Sequence, residues 1–233
     1  MSTVQENYKE VCARVDAACI KAGRERQQVR LLAVSKTKPA DMVRDCYQLG
    51  QTAFGENYLQ DALEKIEALR DLPDIEWHFI GPLQSNKTKA VAENFHWLET
   101  LDREKIARRL NDQRPPMLPP LNVLIQINIS DEDQKSGIST TEVHAFAQTL
   151  ASLPRLKVRG LMCIPEATDD EQRLQQQFER MQQLSRDLTA RYPEANVLSM
   201  GMSSDLELAI ACGSTEVRIG TDIFGARNTP AAQ

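Results

Sequence analysis

Lys36 is the residue of this chain best placed for covalent chemistry. It follows the apolar run 31–34, which has the length of a buried strand, and Pro39 begins a predicted helix. Side chains alternate between the two faces of a strand, so Lys36 shares a face with Leu32 and Val34. Poor hydration there favours the neutral amine, which can attack a carbonyl group. The alternative is a lysine that simply reaches solvent, and this stretch alone favours it, because lysine is seldom buried unless paired.

Two loops near the other end of the chain contain the glycine and hydroxyl residues that suit a phosphate. One is the Gly-Met-Ser-Ser-Asp sequence at 201–205, which leads directly into a predicted helix. The other is Gly220-Thr221, which follows a predicted strand. Backbone N–H groups at a helix N-terminus and nearby hydroxyls bind phosphate oxygens. Ser203 alone could be only a helix cap, but the pair of loops favours a phosphate site.

Arg218 lies two residues before the second loop and shares strand parity with Gly220. If it points inward, its guanidinium is buried and needs an acceptor, and a structural ion pair with Glu207 or Glu216 is the simpler interpretation. A lysine able to form an imine, a phosphate site and an arginine together suggest an aldehyde that carries a phosphate. Pyridoxal 5′-phosphate (PLP) fits, with its aldehyde at the lysine, its phosphate at the loops and its ring nitrogen at the arginine.

The elements that position these residues alternate along the chain. A first amphipathic helix is predicted up to about Ala22, and roughly eight strand–helix units follow it. This order predicts an α/β fold, a single (β/α)8 TIM barrel with an additional N-terminal helix and one domain over residues 1–233. An open doubly wound sheet is the alternative. The proline-rich stretch 114–120 is expected to be a surface loop rather than a linker.

Composition excludes several classes of function. The 233 residues carry a formal net charge of −5, which argues against a general nucleic-acid or anionic-membrane binder. The N-terminus does not resemble a signal peptide, and no apolar stretch is long enough to span a bilayer. Five scattered cysteines are typical of reduced thiols in a cytoplasmic protein. The three histidines are widely separated, so no metal site is predicted.

Several motifs together resemble the pyridoxal phosphate homeostasis protein family, over about residues 31–227. They are LAVSKTKP (32–39), FGENY (54–58), WHFIGPLQSNK (77–87), GMSSD (201–205) and RIGTDIFG (218–225). The resemblance implies the alanine-racemase-like barrel known as fold type III, a PLP aldimine at one lysine and five further cofactor contacts. By that resemblance the cofactor-binding residues are Lys36, Asn57, Ser203, Arg218, Gly220 and Thr221.

Two other residues enter through the same resemblance. Asp61 stands where the family pattern has glutamate, and it is expected to lie outside the cofactor contacts. Lys135 is expected to overhang the mouth of the cofactor site.

The resemblance also implies what the cofactor does. An arginine at the pyridine nitrogen opposes ring protonation, so the cofactor accepts electrons from a carbanion weakly. Related racemases take a tyrosine base from a second domain, and the chain ends at Gln233, so we expect no such domain here. We therefore predict a monomeric PLP carrier in vitamin B6 homeostasis, with no catalytic residue and with PLP-dependent enzymes as clients. An amino-acid racemase and a class I aldolase are the alternatives.

Overall fold

The alternating strands and helices close into a barrel in the computed structural model, which describes residues 2–226. Each strand pairs in parallel with the next, and the last strand pairs with the first. The predicted barrel is therefore confirmed, and the open sheet is wrong. The strands are β1 (Arg30–Val34), β2 (Ala53–Glu56), β3 (Glu76–Phe79), β4 (Trp97–Leu101), β5 (Leu121–Ile127), β6 (Leu156–Cys163), β7 (Val197–Ser199) and β8 (Glu216–Ile219).

Nine α-helices accompany these strands within residues 2–226. They are α1 (Val4–Lys21), α2 (Ala40–Gln48), α3 (Leu59–Ala68), α4 (Thr88–Asn94), α5 (Glu104–Gln113), α6 (Val143–Ala151), α7 (Glu171–Arg191), α8 (Leu206–Ala211) and α9 (Thr221–Phe224). The sequence predicted all of them except α9, which is a single turn. Residue 1 and residues 227–233 lie outside the described range. Both predicted domain limits, residues 1 and 233, and the last residue of the family resemblance, residue 227, therefore also lie outside it.

The additional N-terminal helix is specified by its own sequence. Thr3 and Glu6 form a reciprocal capping box at its start, and Gly23, with φ +67°, follows its last turn. Its buried residues recur at steps of three and four, so one face packs on the barrel. These residues are Tyr8, Val11, Val15, Ala18 and Cys19.

The strands bury both of their faces, as a helix-covered parallel barrel requires. Outward residues such as Leu31 and Phe54 belong to the large core beneath the helices. Inward residues, including Leu32 and Val34, form separate clusters inside the barrel. Close strand packing makes Gly160 indispensable, because a Cβ there would lie 1.8 Å from the Val197 carbonyl oxygen.

The structure bears on three further predictions. The proline-rich stretch is a surface loop, anchored where Arg114 donates to the carbonyls of Ala92, Phe95 and Pro119. All five cysteines are free thiols. No helix within residues 2–226 combines the length and apolar character needed to cross a membrane.

Candidate functional site

A cavity of about 370 Å³ opens at the carboxyl ends of the strands. We call it the strand-end cavity. All six residues predicted to bind the cofactor line it, although they come from distant parts of the chain. The predicted residues are Lys36, Asn57, Ser203, Arg218, Gly220 and Thr221.

Lys36 lies two residues beyond the end of β1, half-buried at the edge of this cavity. Val34 and Ile80 provide apolar cavity wall beside it. The next residue, Thr37, has φ +65°, a left-handed conformation that a β-branched residue adopts only when its surroundings impose it. The Lys36 turn is therefore held by contacts outside the turn itself.

One such contact comes from Asp61 on α3. Its carboxylate accepts a hydrogen bond from the Thr37 backbone N–H at 3.1 Å, and it lies 3.0 Å from the Lys65 ammonium. Asp61 does not line the strand-end cavity, as expected, but it does hold the turn that carries Lys36. The sequence did not predict that Asp61 holds this turn.

The Asp61 contact leads to a prediction. Asp61→Ala is expected to lower the free energy of unfolding by about 1 kcal/mol, because the Thr37 N–H loses its acceptor while the side chain is partly exposed. Urea denaturation measures this loss. The control Asp61→Glu keeps the carboxylate and is expected to recover most of it. Equal stability of the alanine variant and the parent chain would show that the turn does not depend on Asp61.

A buried ion pair lies beneath the same turn. The Lys65 ammonium donates to Glu56 at 2.7 Å and to the backbone carbonyl of Ser35 at 2.6 Å, and the Ser35 hydroxyl also donates to Glu56. Both charged side chains are almost fully buried. Burial raises the pKa of Glu56, while the Lys65 ammonium and the Ser35 hydroxyl oppose the rise. The pair fixes the residue immediately before Lys36.

The two glycine-containing loops meet at the wall of the cavity. The backbone N–H of Arg218 donates to the carbonyl of Gly201 at 2.9 Å, which joins the end of β8 to the loop after β7. Gly220 precedes α9, whose first N–H groups have no acceptor within the helix. Gly220 packs closely against β1, since a Cβ at this position would lie 3.2 Å from the Val34 carbonyl oxygen. The barrel thus brings the second loop against the strand that leads to Lys36.

The N-terminal helix α1 holds the first loop in place. Arg14 donates to the backbone carbonyl of Ser203 at 2.6 Å and to the Glu207 carboxylate at 2.8 Å, and it lies 3.3 Å from Asp222. Hydrogen bonding to Glu207 raises the pKa of Arg14, so the guanidinium stays charged. This gives the additional helix a role at the site that the sequence did not predict.

Arg218 points into the barrel, as its strand parity predicts, and only 5% of it is exposed. Its guanidinium donates to the Ser199 hydroxyl at 2.7 Å and to the carbonyl of Cys163 at 2.9 Å. The simpler interpretation, a direct ion pair with Glu207 or Glu216, is wrong, because Glu207 pairs with Arg14 and Glu216 contacts Ser199.

The side chain of Asn57 contains an oxygen atom, Oδ1, that has no hydrogen-bond partner within residues 2–226. The backbone of Asn57 lies against Gly81, where a Cβ would be 2.3 Å from the Asn57 carbonyl oxygen, so the second residue after β3 must be glycine. The Asn57 Oδ1 atom is buried and accepts no hydrogen bond from any residue of the range 2–226. Buried acceptors are normally satisfied and Asn57 lines the strand-end cavity, so its side chain is a candidate contact for a ligand.

Sequence analysis missed the residues at the cavity mouth. Ile164 and Met202 are 43% and 38% exposed there, and with Ser204 they also line an adjoining cavity of about 700 Å³. Lys135 lies in that adjoining cavity, 3.1 Å from Glu132, rather than in the lining of the strand-end cavity. Ile164 follows β6 directly, so the strand-end rule could have found it.

Histidine spacing also could not reveal a cluster inside the barrel. His78, Glu99 and Glu216 are buried, and their potential ligand atoms lie within 4.8 Å of one another. The two carboxylates come from β4 and β8, and the spacing of histidines along the sequence gives no information about glutamates on these strands. That the protein holds no metal stays a prediction.

The chain matches the family model of the alanine racemase N-terminal domain over residues 7–228. The closed barrel and this match define the alanine-racemase-like class. The pyridoxal phosphate homeostasis protein of Pasteurella multocida is 54% identical over 230 residues, 97% of this chain and 98% of the relative. That of Escherichia coli K12 is 52% identical over 233 residues, 98% of each. This chain belongs to the pyridoxal phosphate homeostasis protein family.

Solved structures agree with this family. A protein of unknown function from Bifidobacterium adolescentis is 33% identical with a TM-score of 0.89, covering 95% of this chain and 94% of its own. PipY of Synechococcus elongatus, solved with PLP bound, is 33% identical with a TM-score of 0.78, covering 91% and 100%. Alanine racemase of Corynebacterium glutamicum, at 19% identity and a TM-score of 0.65, shares the fold; the match covers 96% of this chain and 62% of the racemase.

Proposed function

We propose that this protein binds PLP covalently at Lys36 and serves intracellular PLP homeostasis without robust catalytic turnover. The observation that carries the proposal is the convergence of all six predicted residues on one cavity. The name of the curated relatives and the PLP bound in PipY support it.

The residues present fit such a cofactor. A cavity of about 370 Å³ lies in the size range of small-molecule sites. Val34 and Ile80 offer apolar surface to a flat ring, and the Asn57 Oδ1 atom offers an acceptor with no partner in the described chain. PLP would supply an aldehyde that can accept an amine, a chemistry that side chains lack.

The chain's own residues divide the remaining work. Lys36 provides the attacking amine, and Asn57 orients the ring. Ser203, Gly220 and Thr221 hold the phosphate through hydroxyl and backbone N–H groups at the start of short helices.

Arg218 makes the proposed cofactor poorly suited to catalysis. A fixed guanidinium charge at the ring nitrogen opposes protonation of that nitrogen. Without that proton the ring stabilises a carbanion weakly, so turnover is slow. The likeness to alanine racemases is one of fold, at 19% identity for the Corynebacterium enzyme, and carries no racemase activity to this chain.

The setting of the protein belongs to the same proposal. We take residues 1–233 as one domain that works in the cytoplasm, where five free thiols persist. We take it as a monomer, because its exposed large apolar residues, such as Ile20, Leu49 and Met117, are scattered. PLP-dependent enzymes are the proposed clients. A solution mass near 26.3 kDa checks the monomer.

PLP titration followed by absorbance tests the central claim. We expect a yellow protein with one equivalent of PLP, and borohydride reduction that fixes the cofactor to the peptide containing Lys36, as read by mass spectrometry. A colourless protein that gains no mass after reduction would overturn the proposal. A class I aldolase would stay colourless while reacting with a phosphorylated sugar, so the same spectrum separates the two.

A further inference from the structure

The interior of the barrel, below the strand-end cavity, contains an unusual layer of polar side chains. It consists of His78, Glu99, Ser199, Glu216 and Arg218, and we call it the interior polar cluster. Every member is at most 5% exposed. Barrel interiors are ordinarily filled by branched apolar residues, and buried charges are costly unless paired. A cluster placed directly behind the cofactor-facing arginine therefore needs an explanation.

Counting hydrogens in the cluster shows that one carboxyl group must be protonated. The Ser199 hydroxyl lies 2.7 Å from Glu99 and 2.9 Å from Glu216, and it accepts a hydrogen bond from Arg218 at 2.7 Å. A serine hydroxyl carries a single hydrogen, so it can donate to only one of the two carboxyl groups. The other group must donate a hydrogen of its own, because two acceptors at this distance repel each other.

The surroundings identify which group carries that hydrogen. Glu99 lies 2.7 Å from the His78 Nδ1 atom, so it faces a second donor and suits a negative charge. Burial lowers the pKa of His78, which favours a neutral ring that donates from Nδ1 to Glu99 and has Nε2 3.7 Å from Glu76. Burial, followed by the nearby Glu99 charge, raises the pKa of Glu216 well above its ordinary value.

The remaining charges around the cluster are accounted for. Arg30 on β1 is a cation that opposes the rise in the pKa of Glu216, and it pairs with Glu76 at 2.7 Å on the opposite side of His78. With His78 and Glu216 neutral, the positive charge of Arg218 is balanced by Glu99. This assignment gives each hydrogen bond within the cluster a donor and an acceptor and leaves the cluster without net charge, while the buried His78 Nε2 atom has no hydrogen-bond partner within residues 2–226.

We propose that Glu216 is a neutral carboxylic acid in the folded protein, and that Glu99, Ser199 and Glu216 are positioning residues that hold the Arg218 guanidinium aimed at the cofactor. The second half of this statement rests on the proposed function. Glu99 supplies the countercharge, Ser199 connects it to the guanidinium, and Glu216 completes the hydrogen bonds without adding a second negative charge. These three residues act on the cofactor only through Arg218.

The same amide substitution at the two glutamates tests the assignment. Glutamine mimics a neutral acid, so the conservative variant Glu216→Gln is expected to keep PLP affinity within about threefold. Glu99→Gln removes the countercharge and the charged acceptor, and is expected to weaken PLP binding about tenfold or more. Equal effects of the two substitutions, or a larger effect of Glu216→Gln, would overturn the proposal.

Infrared spectroscopy of the cofactor-free protein provides a readout that a merely structural role would not change. The parent chain at pH 7 is expected to show the carbonyl band of a buried protonated carboxyl group, shifted by deuterium exchange. The band is expected to vanish in Glu216→Gln. Its absence from the parent chain, or its persistence in the variant, would refute the neutral Glu216.

The two failures are distinguishable. If the parent chain shows the band but gains no colour with PLP, the proposed function is wrong while the proton assignment stands. Since the spectrum of the parent chain needs no variant to fold, an unstable Glu99→Gln variant leaves that test intact. Ser199→Ala then replaces it, and is expected to weaken PLP binding about tenfold because Arg218 loses the acceptor that connects it to Glu99 and keeps only the Cys163 carbonyl.

Discussion

Lys36→Ala is expected to lose the absorbance of the covalent imine and the mass gain after borohydride reduction. The alanine side chain at position 36 has no amine that could react in the cavity. The two glycine-containing loops and Arg218 remain, so the variant is expected to retain PLP noncovalently. Loss of the covalent bond is expected to weaken affinity by at least about tenfold. Absorbance titration, with equilibrium dialysis for the noncovalent remainder, measures both effects.

Lys38→Ala is the matched control for this prediction. Lys38 also lines the strand-end cavity, but its ammonium donates to the carbonyl of Ala226 at 2.7 Å and so is engaged at the cavity edge. Its removal is expected to leave the colour and the reduced adduct in place. A Lys36→Ala protein that still turns yellow and is trapped by borohydride would move the attachment point to another lysine, with Lys38 and Lys135 to be examined next.

The residues that line the strand-end cavity could be predicted from sequence because their positions follow from strand ends and strand parity. Lys36, Asn57 and Gly220 come within two residues after a strand, and a barrel places all strand ends on one face. Closure then makes β8 the neighbour of β1, with Leu32 paired to Arg218. Position in the fold was enough to predict Lys36 and Gly220 at this end of the barrel, whereas Asn57 was assigned through the family resemblance.

The partners of those residues could not be predicted in the same way. Ser199 contacts Glu99, which is 100 positions away, and Arg14 reaches Ser203 across 189 positions. Such contacts depend on strand register and side-chain length, which hydrophobic periodicity does not contain. For the same reason the ion pair considered for Arg218 was assigned the wrong partners, although its inward direction was predicted correctly.

The structure also changes the physical interpretation of Lys36, the lysine that follows β1. A lysine after an apolar strand is ordinarily solvent-exposed, and sequence alone favoured that interpretation. Here Ser35 before it and Thr37 after it are both fixed by charged groups of β2 and α3. These charges do not line the cavity, so they can hold the turn without competing for the cofactor.

Lys65→Met is expected to produce the largest loss of stability among the variants considered. It leaves the fully buried Glu56 without its cation, and breaking a buried pair in this way costs about 3–5 kcal/mol. In the variant, burial raises the pKa of Glu56 with only the Ser35 hydroxyl left to oppose the rise, so folding takes up a proton above the ordinary value of 4.5. The loss is therefore expected to be small near pH 5 and to grow by about 1.4 kcal/mol per pH unit as pH rises.

Urea denaturation at pH 5 and pH 8 measures this dependence, and two controls bound it. Glu56→Gln combined with Lys65→Met removes both charges, and is expected to recover most of the stability and to abolish the pH dependence. Arg108→Met breaks a pair with Glu104 that is just as short, 2.6 Å, but exposed, so it is expected to cost less than about 1 kcal/mol. A Lys65→Met protein whose loss is the same at both pH values would show that the lost packing of the lysine, rather than the stranded carboxylate, destabilises the Lys36 turn.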